Sequence, residues 1–156
     1  MRNEFFPDER ITENDLFFVC YMIERVARRL RRRNAYVVNA IGKSEFKRLL
    51  SVASAQHCEN PESVEDEWIE AYCLEHGSFD ITNVDADLCE NVPSATAMGK
   101  VYMRLIRDTM RPDEDYADAI VRVYNDSICE KIDDYNASAY YEPSYVIARA
   151  YNEGGF

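Results

Sequence analysis

Apolar residues recur at helical spacing along nearly the whole chain, and no stretch alternates in the manner of a half-buried strand. The clearest register is Leu16, Val19, Cys20, Ile23, Val26, Ala27 and Leu30, with Thr12 and Asp15 in capping-box positions ahead of it. Phe17, Phe18, Tyr21 and Met22 widen that stripe until the front half is apolar almost all round. The pattern predicts a central helix packed on more than one side. A short helix over 35–41 follows, stopped by Gly42, and Ser44 is positioned to cap a helix running to about Cys58 with Phe46, Leu49, Leu50 and Ala53 inward. Asn60-Pro61 breaks it. Ser63, with Asp66 three residues on, opens a fourth helix that carries Val64, Trp68, Ala71, Tyr72 and Glu75 along one line to Gly77.

Residues 78–93 exchange periodicity for Ser, Thr, Asn, Asp and Pro and read as a linker. Beyond it, Ser94 caps a helix with Met98, Val101, Tyr102, Leu105 and Thr109 on one face. Arg111-Pro112-Asp113 ends that helix and starts a longer one, in which Ala117, Ile120, Val121, Tyr124, Ile128, Ile132 and Tyr135 stay in register. A last short helix follows Pro143. The expected fold is all-α, with six to eight helices in two small packed modules: 11–77, holding four helices, and 94–156, holding three.

At 156 residues the chain is long enough to bury an adequate core without a disulfide or metal staple. The five cysteines, Cys20, Cys58, Cys73, Cys89 and Cys129, are odd in number and widely spaced, and are read as free core thiols in a reducing compartment. The longest strongly apolar run, Leu16 to Ile23, is far shorter than the ~20 residues a membrane span needs. With no signal-like N-terminus, a cytoplasmic protein without membrane contact is expected.

The net charge of −11 argues against wholesale binding to phosphate backbones. Its distribution matters more than its sum: residues 1–50 carry +4, residues 51–100 carry −10 and residues 101–156 carry −5. Between Arg48 and Lys100 there is no basic residue. The positive end is concentrated on the back of the first helix, in Arg25, Arg28, Arg29, Arg31, Arg32 and Arg33. Two readings follow. Arg25, Arg28, Arg29 and Arg32, with Lys47 and Arg48, could form an anion-binding surface; or the cluster could pair with the chain's own acidic helix, Glu62, Glu65, Asp66, Glu67 and Glu70.

Motifs for chemistry are incomplete. The segment around Gly42 half resembles a helix-turn-helix, but Arg48 and Ser51 fall where inward residues belong. His57, Cys58, Cys73 and His76 suggest zinc by type, yet a helical hairpin would hold the two pairs ~15 Å apart. Asp80, Asn83, Asp85, Asp87 and Glu90 have the composition of a calcium loop but lack its glycine and terminal glutamate. Asp133 with Asp134 reads as a solubilising pair. No catalytic, cofactor or metal residue is assigned. Eight of the eleven tyrosines lie after residue 101, and Tyr140, Tyr141 and Tyr145 are candidates for an interface, where tyrosine covers much area with few rotatable bonds.

The runs Phe17-Phe18-Val19-Cys20-Tyr21-Met22-Ile23-Glu24, Val37-Val38-Asn39-Ala40-Ile41-Gly42 and Val64-Glu65-Asp66-Glu67-Trp68-Ile69 resemble those of short helical proteins of anaerobic bacteria encoded beside ADP-ribosyltransferase-like toxins. The resemblance implies an antitoxin or accessory role and transfers no site residue. The expected function is therefore a non-enzymatic interaction protein restraining a protein partner, through Glu62, Glu65, Asp66 and Glu70 and through Tyr140, Tyr141 and Tyr145. The alternative is a nucleic-acid-binding regulator using the arginine-rich helix. Self-association stays open.

Overall fold

Helix α1 (Glu13–Leu30) opens on the expected capping box: the Thr12 hydroxyl accepts from the Asp15 N–H, and the Asp15 carboxylate accepts from the Thr12 N–H at 2.8 Å. The computed structural model describes residues 1–156 and contains eight α-helices and no strand. The others are α2 (Asn34–Ile41), α3 (Lys43–Gln56), α4 (Pro61–Ala71), α5 (Ala95–Thr109), α6 (Tyr116–Tyr124), α7 (Ile128–Ile132) and α8 (Ser144–Glu153). Apolar side chains around α1 lead to its central place, where α2, α3, α4 and α5 all pack on it. No helix is long and apolar enough to cross a membrane.

Three boundaries differ from the sequence expectation, each for a local reason. Gly42, at φ 82°, stands directly before α3, so the helix begins at Lys43 and Ser44 is not its cap. Asn60, not Ser63, caps α4 by accepting from the Glu62 N–H at 3.0 Å, with Pro61 in the first turn where its missing N–H is harmless. The helix stops at Ala71 because Cys73 turns left-handed at φ 50° and redirects the chain. That redirection buries Leu74 and lets the Gly77 N–H donate to the Leu30 carbonyl at 2.8 Å. Gly77 is required for this approach: a Cβ there would lie 2.8 Å from the Arg31 carbonyl oxygen.

The long helix expected over 113–135 is two, α6 and α7. Asn125, Asp126 and Ser127 lie between them, and their side chains compete with the helix for backbone groups. The Asn125 amide donates to the Val121 carbonyl at 2.8 Å, and the Asp126 carboxylate accepts from the Ile128 N–H at 2.9 Å. Of the five cysteines, Cys20, Cys89 and Cys129 are buried, whereas Cys58 and Cys73 are exposed, contrary to the reading of all five as core thiols. Both exposed ones follow the last turns of their helices, where the apolar stripe has already ended.

Segment 78–93 has no helix, but the Phe79 N–H donates to the Arg31 carbonyl at 2.9 Å and Ile81 and Cys89 are buried. One apolar cluster runs through both halves, joining Leu16, Ile23, Phe46 and Trp68 to Met98, Tyr102, Ile120 and Ile147. Within it α1 and α5 cross closely: a Cβ on Gly99 would stand 2.9 Å from the Tyr21 Cα and 3.0 Å from its nitrogen. Backbone cannot yield as a side chain can. Gly99→Val is expected to lower the unfolding free energy by about 1–3 kcal/mol through overpacking. A urea midpoint equal to that of the parent chain would show that the helices separate freely.

Candidate functional site

Glu24 lies in the apolar stripe of α1, four residues after Cys20 and three before Ala27, and is only 1% exposed. Its Oε1 accepts from Arg28 Nε at 3.1 Å and from the Tyr135 hydroxyl at 2.9 Å, while Oε2 accepts from Asn34 Nδ2 at 2.8 Å. Arg28 in turn donates through Nη2 to the Pro93 carbonyl at 2.8 Å and to the Tyr135 hydroxyl at 3.1 Å. The network thus joins α1, the start of α2, the end of segment 78–93 and the chain leaving α7. Burial disfavours the Arg28 charge, but Glu24 and Tyr135 more than offset it and raise the guanidinium's pKa.

A second buried carboxylate stands nearby. Asp133, closing α7, is 8% exposed; its Oδ1 accepts from the Tyr102 hydroxyl at 2.6 Å, and its other oxygen has no partner in the chain. Burial, reinforced by the charge of Glu24, pushes its carboxyl up to about 8, against the Tyr102 hydrogen bond and the guanidinium groups of Arg33 and Arg28. Tyr102 stacks on Tyr124 with centroids 4.5 Å apart, and the buried Tyr124 hydroxyl has no hydrogen-bond partner. The thiols of Cys20 and Cys129 are pushed up to about 12, chiefly by burial, which makes them poor nucleophiles near neutral pH.

Asp133 is the point where two cavities meet. The outer one, about 390 Å³, lies between segment 79–84 and the chain from Glu130 to Asn136; the inner one, about 100 Å³, reaches Asn34, Tyr124 and Cys129. Both also touch Arg33 and Glu130. Four carboxylates, Asp80, Glu130, Asp133 and Asp134, face two cations, Arg33 and Lys131, neither of which has an ion-pair partner in the chain. Arg33 lies over the Phe79 ring at 4.1 Å, held at the mouth of the cleft. Asp133 is therefore not a solubilising partner of Asp134: it sits four residues after Cys129 on the inward face of α7, while Asp134 is exposed.

On the other side of Tyr135 and Asn136 runs an open groove of about 630 Å³ lined by Leu88, Cys89, Glu90, Tyr140 and Tyr141 among others. Leu88 is 65% exposed and Tyr141 84%. The rings are braced rather than loose: Tyr140 meets Tyr135 edge-on at 5.3 Å and Tyr141 at 6.3 Å, and Tyr135 is anchored to Glu24.

The residues singled out in the sequence separate into distinct groups. Arg25 pairs with Glu65 at 2.8 Å and Arg29 with Asp66 at 2.6 Å, so the back of α1 is closed by α4. Arg32 donates to the carbonyls of Glu75 and His76 and lies 4.2 Å over the Tyr36 ring, and Arg28 belongs to the buried network. Lys47 stands 3.5 Å from Asp115 and 3.8 Å from Glu4, while Arg48 bonds Glu45 at 3.1 Å and the Tyr72 hydroxyl at 3.0 Å. Glu65 is buried and Asp66 engaged, which leaves Glu62, Glu67 and Glu70 as the exposed members of the acidic helix without an ion-pair partner. Tyr141 and Tyr145 are exposed and Tyr140 half-buried.

His57 packs on the Phe18 ring at 4.8 Å, and nowhere do three or more His, Cys, Asp or Glu side chains converge as a metal site would require. Sequence reading missed Glu24 and Asp133, although one signal was present: each is an acid at helical spacing inside a run of apolar positions. Compared with known protein families, curated proteins and solved structures, the chain has no match.

Proposed function

We propose that this chain is an interaction protein that holds a protein partner through the tyrosine-lined groove between residues 88–91 and 135–141. The observation that carries the reading is the pairing of Leu88 and Tyr141, both mostly exposed, across a groove whose floor is stiffened by Tyr135 and Tyr140. Exposed apolar surface organised in this way is characteristic of interaction sites, and rigid tyrosines lose little entropy on binding. Asp85, Asp87, Glu90, Asp134 and Glu142 are all exposed in or beside the segments that frame it, which favours a partner segment with an apolar anchor flanked by lysine or arginine. Internal pairing of the arginine cluster supports a protein partner over nucleic acid, because paired guanidinium groups release few counterions on binding phosphates. The resemblance to proteins encoded beside toxins suggests restraint of such a partner as the biological role.

The test is site-specific photocrosslinking in the organism that encodes the chain, with a benzophenone residue at position 141 and a control at exposed position 54. One discrete adduct is expected from 141, lost on Leu88→Asp, and none from 54. Equal adducts at both positions, or none at 141, would overturn the proposal.

A further inference from the structure

The cleft around Asp133 lies back to back with the groove, since Tyr135 and Asn136 line both. We infer that the cleft receives the guanidinium of an arginine in the partner segment, seated on the open oxygen of Asp133; this rests on the groove being the docking site. A carboxyl group more than nine-tenths buried, with one oxygen bonded only to the Tyr102 hydroxyl and the other unpartnered, has no ion-pair partner in the chain to accompany its ionisation. Glu24, by contrast, is buried to a similar degree and has Arg28 against it. The lining adds to the case: once Asp133 is ionised, it leaves the cleft at −2 together with Asp80, Glu130 and Asp134, even after Arg33 and Lys131 are counted. A planar fork of donors suits a carboxylate flanked by further acceptors better than a point charge does. The acceptors do not converge closely enough to hold a metal ion, so an organic cation is the fitting class.

Binding a cation there requires the ionised carboxylate. The groups that bear on Asp133 are Glu24 and Arg28 from α1, Arg33 before α2, Tyr102 from α5 and Cys129 from α7. Of these, Glu24 opposes ionisation and the two arginines favour it. Affinity for a guanidinium is therefore expected to rise with pH below 8, approaching about tenfold per unit, as the proton on Asp133 becomes easier to displace.

The experiment is a two-dimensional amide NMR titration of the full chain with three probes: N-acetyl-arginine amide, its neutral isostere N-acetyl-citrulline amide, and agmatine. Saturable shifts confined to residues 33, 79–84 and 130–136 are expected for the arginine probe and absent for citrulline. At pH 9, where the Asp133 carboxyl is ionised, Asp133→Asn is expected to weaken binding at least tenfold, and Arg33→Gln, which removes a repelling cation from the mouth, to tighten it several-fold. The Asn variant keeps the Tyr102 acceptor, and an unchanged spectrum away from the cleft reports that it has folded. Citrulline binding as well as arginine would overturn the charge argument. Agmatine binding a hundredfold more tightly than the arginine amide would overturn the partner segment as the source, in favour of a free amine. Failure of crosslinking at 141 with the arginine shifts intact would remove the groove reading and leave a cation site without its docking surface.

Discussion

Glu24→Ala is expected to lower the unfolding free energy by about 3–5 kcal/mol, the range for breaking a buried ion pair from one side. The loss is large because three donors converge on this carboxylate from three parts of the chain. Its removal leaves the Arg28 guanidinium, the Tyr135 hydroxyl and the Asn34 amide without their acceptor in a region water reaches poorly. Glu24→Gln should do less harm: its carbonyl oxygen can still accept, but its amide meets another donor and it carries no charge against Arg28. Urea unfolding of the two variants beside the parent chain measures the difference. If alanine costs less than about 1 kcal/mol, water must enter and satisfy the orphaned donors, and the network contributes little to holding these segments together.

The second large effect is a dependence of stability on pH that runs opposite to that of an ordinary paired carboxylate. Asp133 holds its proton in the folded chain up to about pH 8, whereas an unfolded aspartate releases it near pH 4. Between those values the folded state binds more protons than the unfolded one, so stability falls as pH rises. The contribution is fully present below the unfolded pKa and is lost by the time the pH has passed 8, a change on the order of a few kcal/mol. Glu114 and Asp118, held low chiefly by hydrogen bonds from Arg122 and Lys43, act in the other direction but complete their change in more acidic solution. Asp133→Asn should therefore abolish the decline between pH 5 and 8 and leave the variant more stable than the parent at pH 8.5. Parallel pH profiles for the two chains would show that the carboxyl is ionised in the folded state throughout.

These effects involve residues whose roles were only partly legible in the chain. The stripe of α1, the caps at Thr12 and Ser94 and the stop at Gly42 are local matters: each is decided by residues within one or two turns, and reading a single chain reaches that far. The division between α6 and α7 was legible in principle, since Asn125, Asp126 and Ser127 favour turns, yet the apolar register on either side masked it. The early end of α4 was not legible, because the chain that leaves it is held by the Gly77 and Phe79 N–H groups on the carbonyls of Leu30 and Arg31, more than forty residues away in sequence.

Charge shows the same boundary between local and distant causes. A basic segment ending at Arg48, followed by 51 residues without a base, is a property of composition. Whether those arginines stand free or are paired depends on α4 folding back alongside α1, which brings Glu65 to Arg25 and Asp66 to Arg29. The acid that matters most for the cleft, Asp133, looked no different from its neighbour Asp134. One faces Tyr102 and the other faces water, and that choice is made by the orientation of a five-residue helix against α5.

What the sequence determined by itself is an all-helical chain with a central, apolar first helix and a separation of charge along its length. The tertiary structure decided which charges neutralise one another, which carboxylate is left buried without a cation, and which tyrosines lie across an open groove. The physical reason is range: helix periodicity and capping act within a few residues, whereas burial and ion pairing depend on partners that only the packed chain brings together.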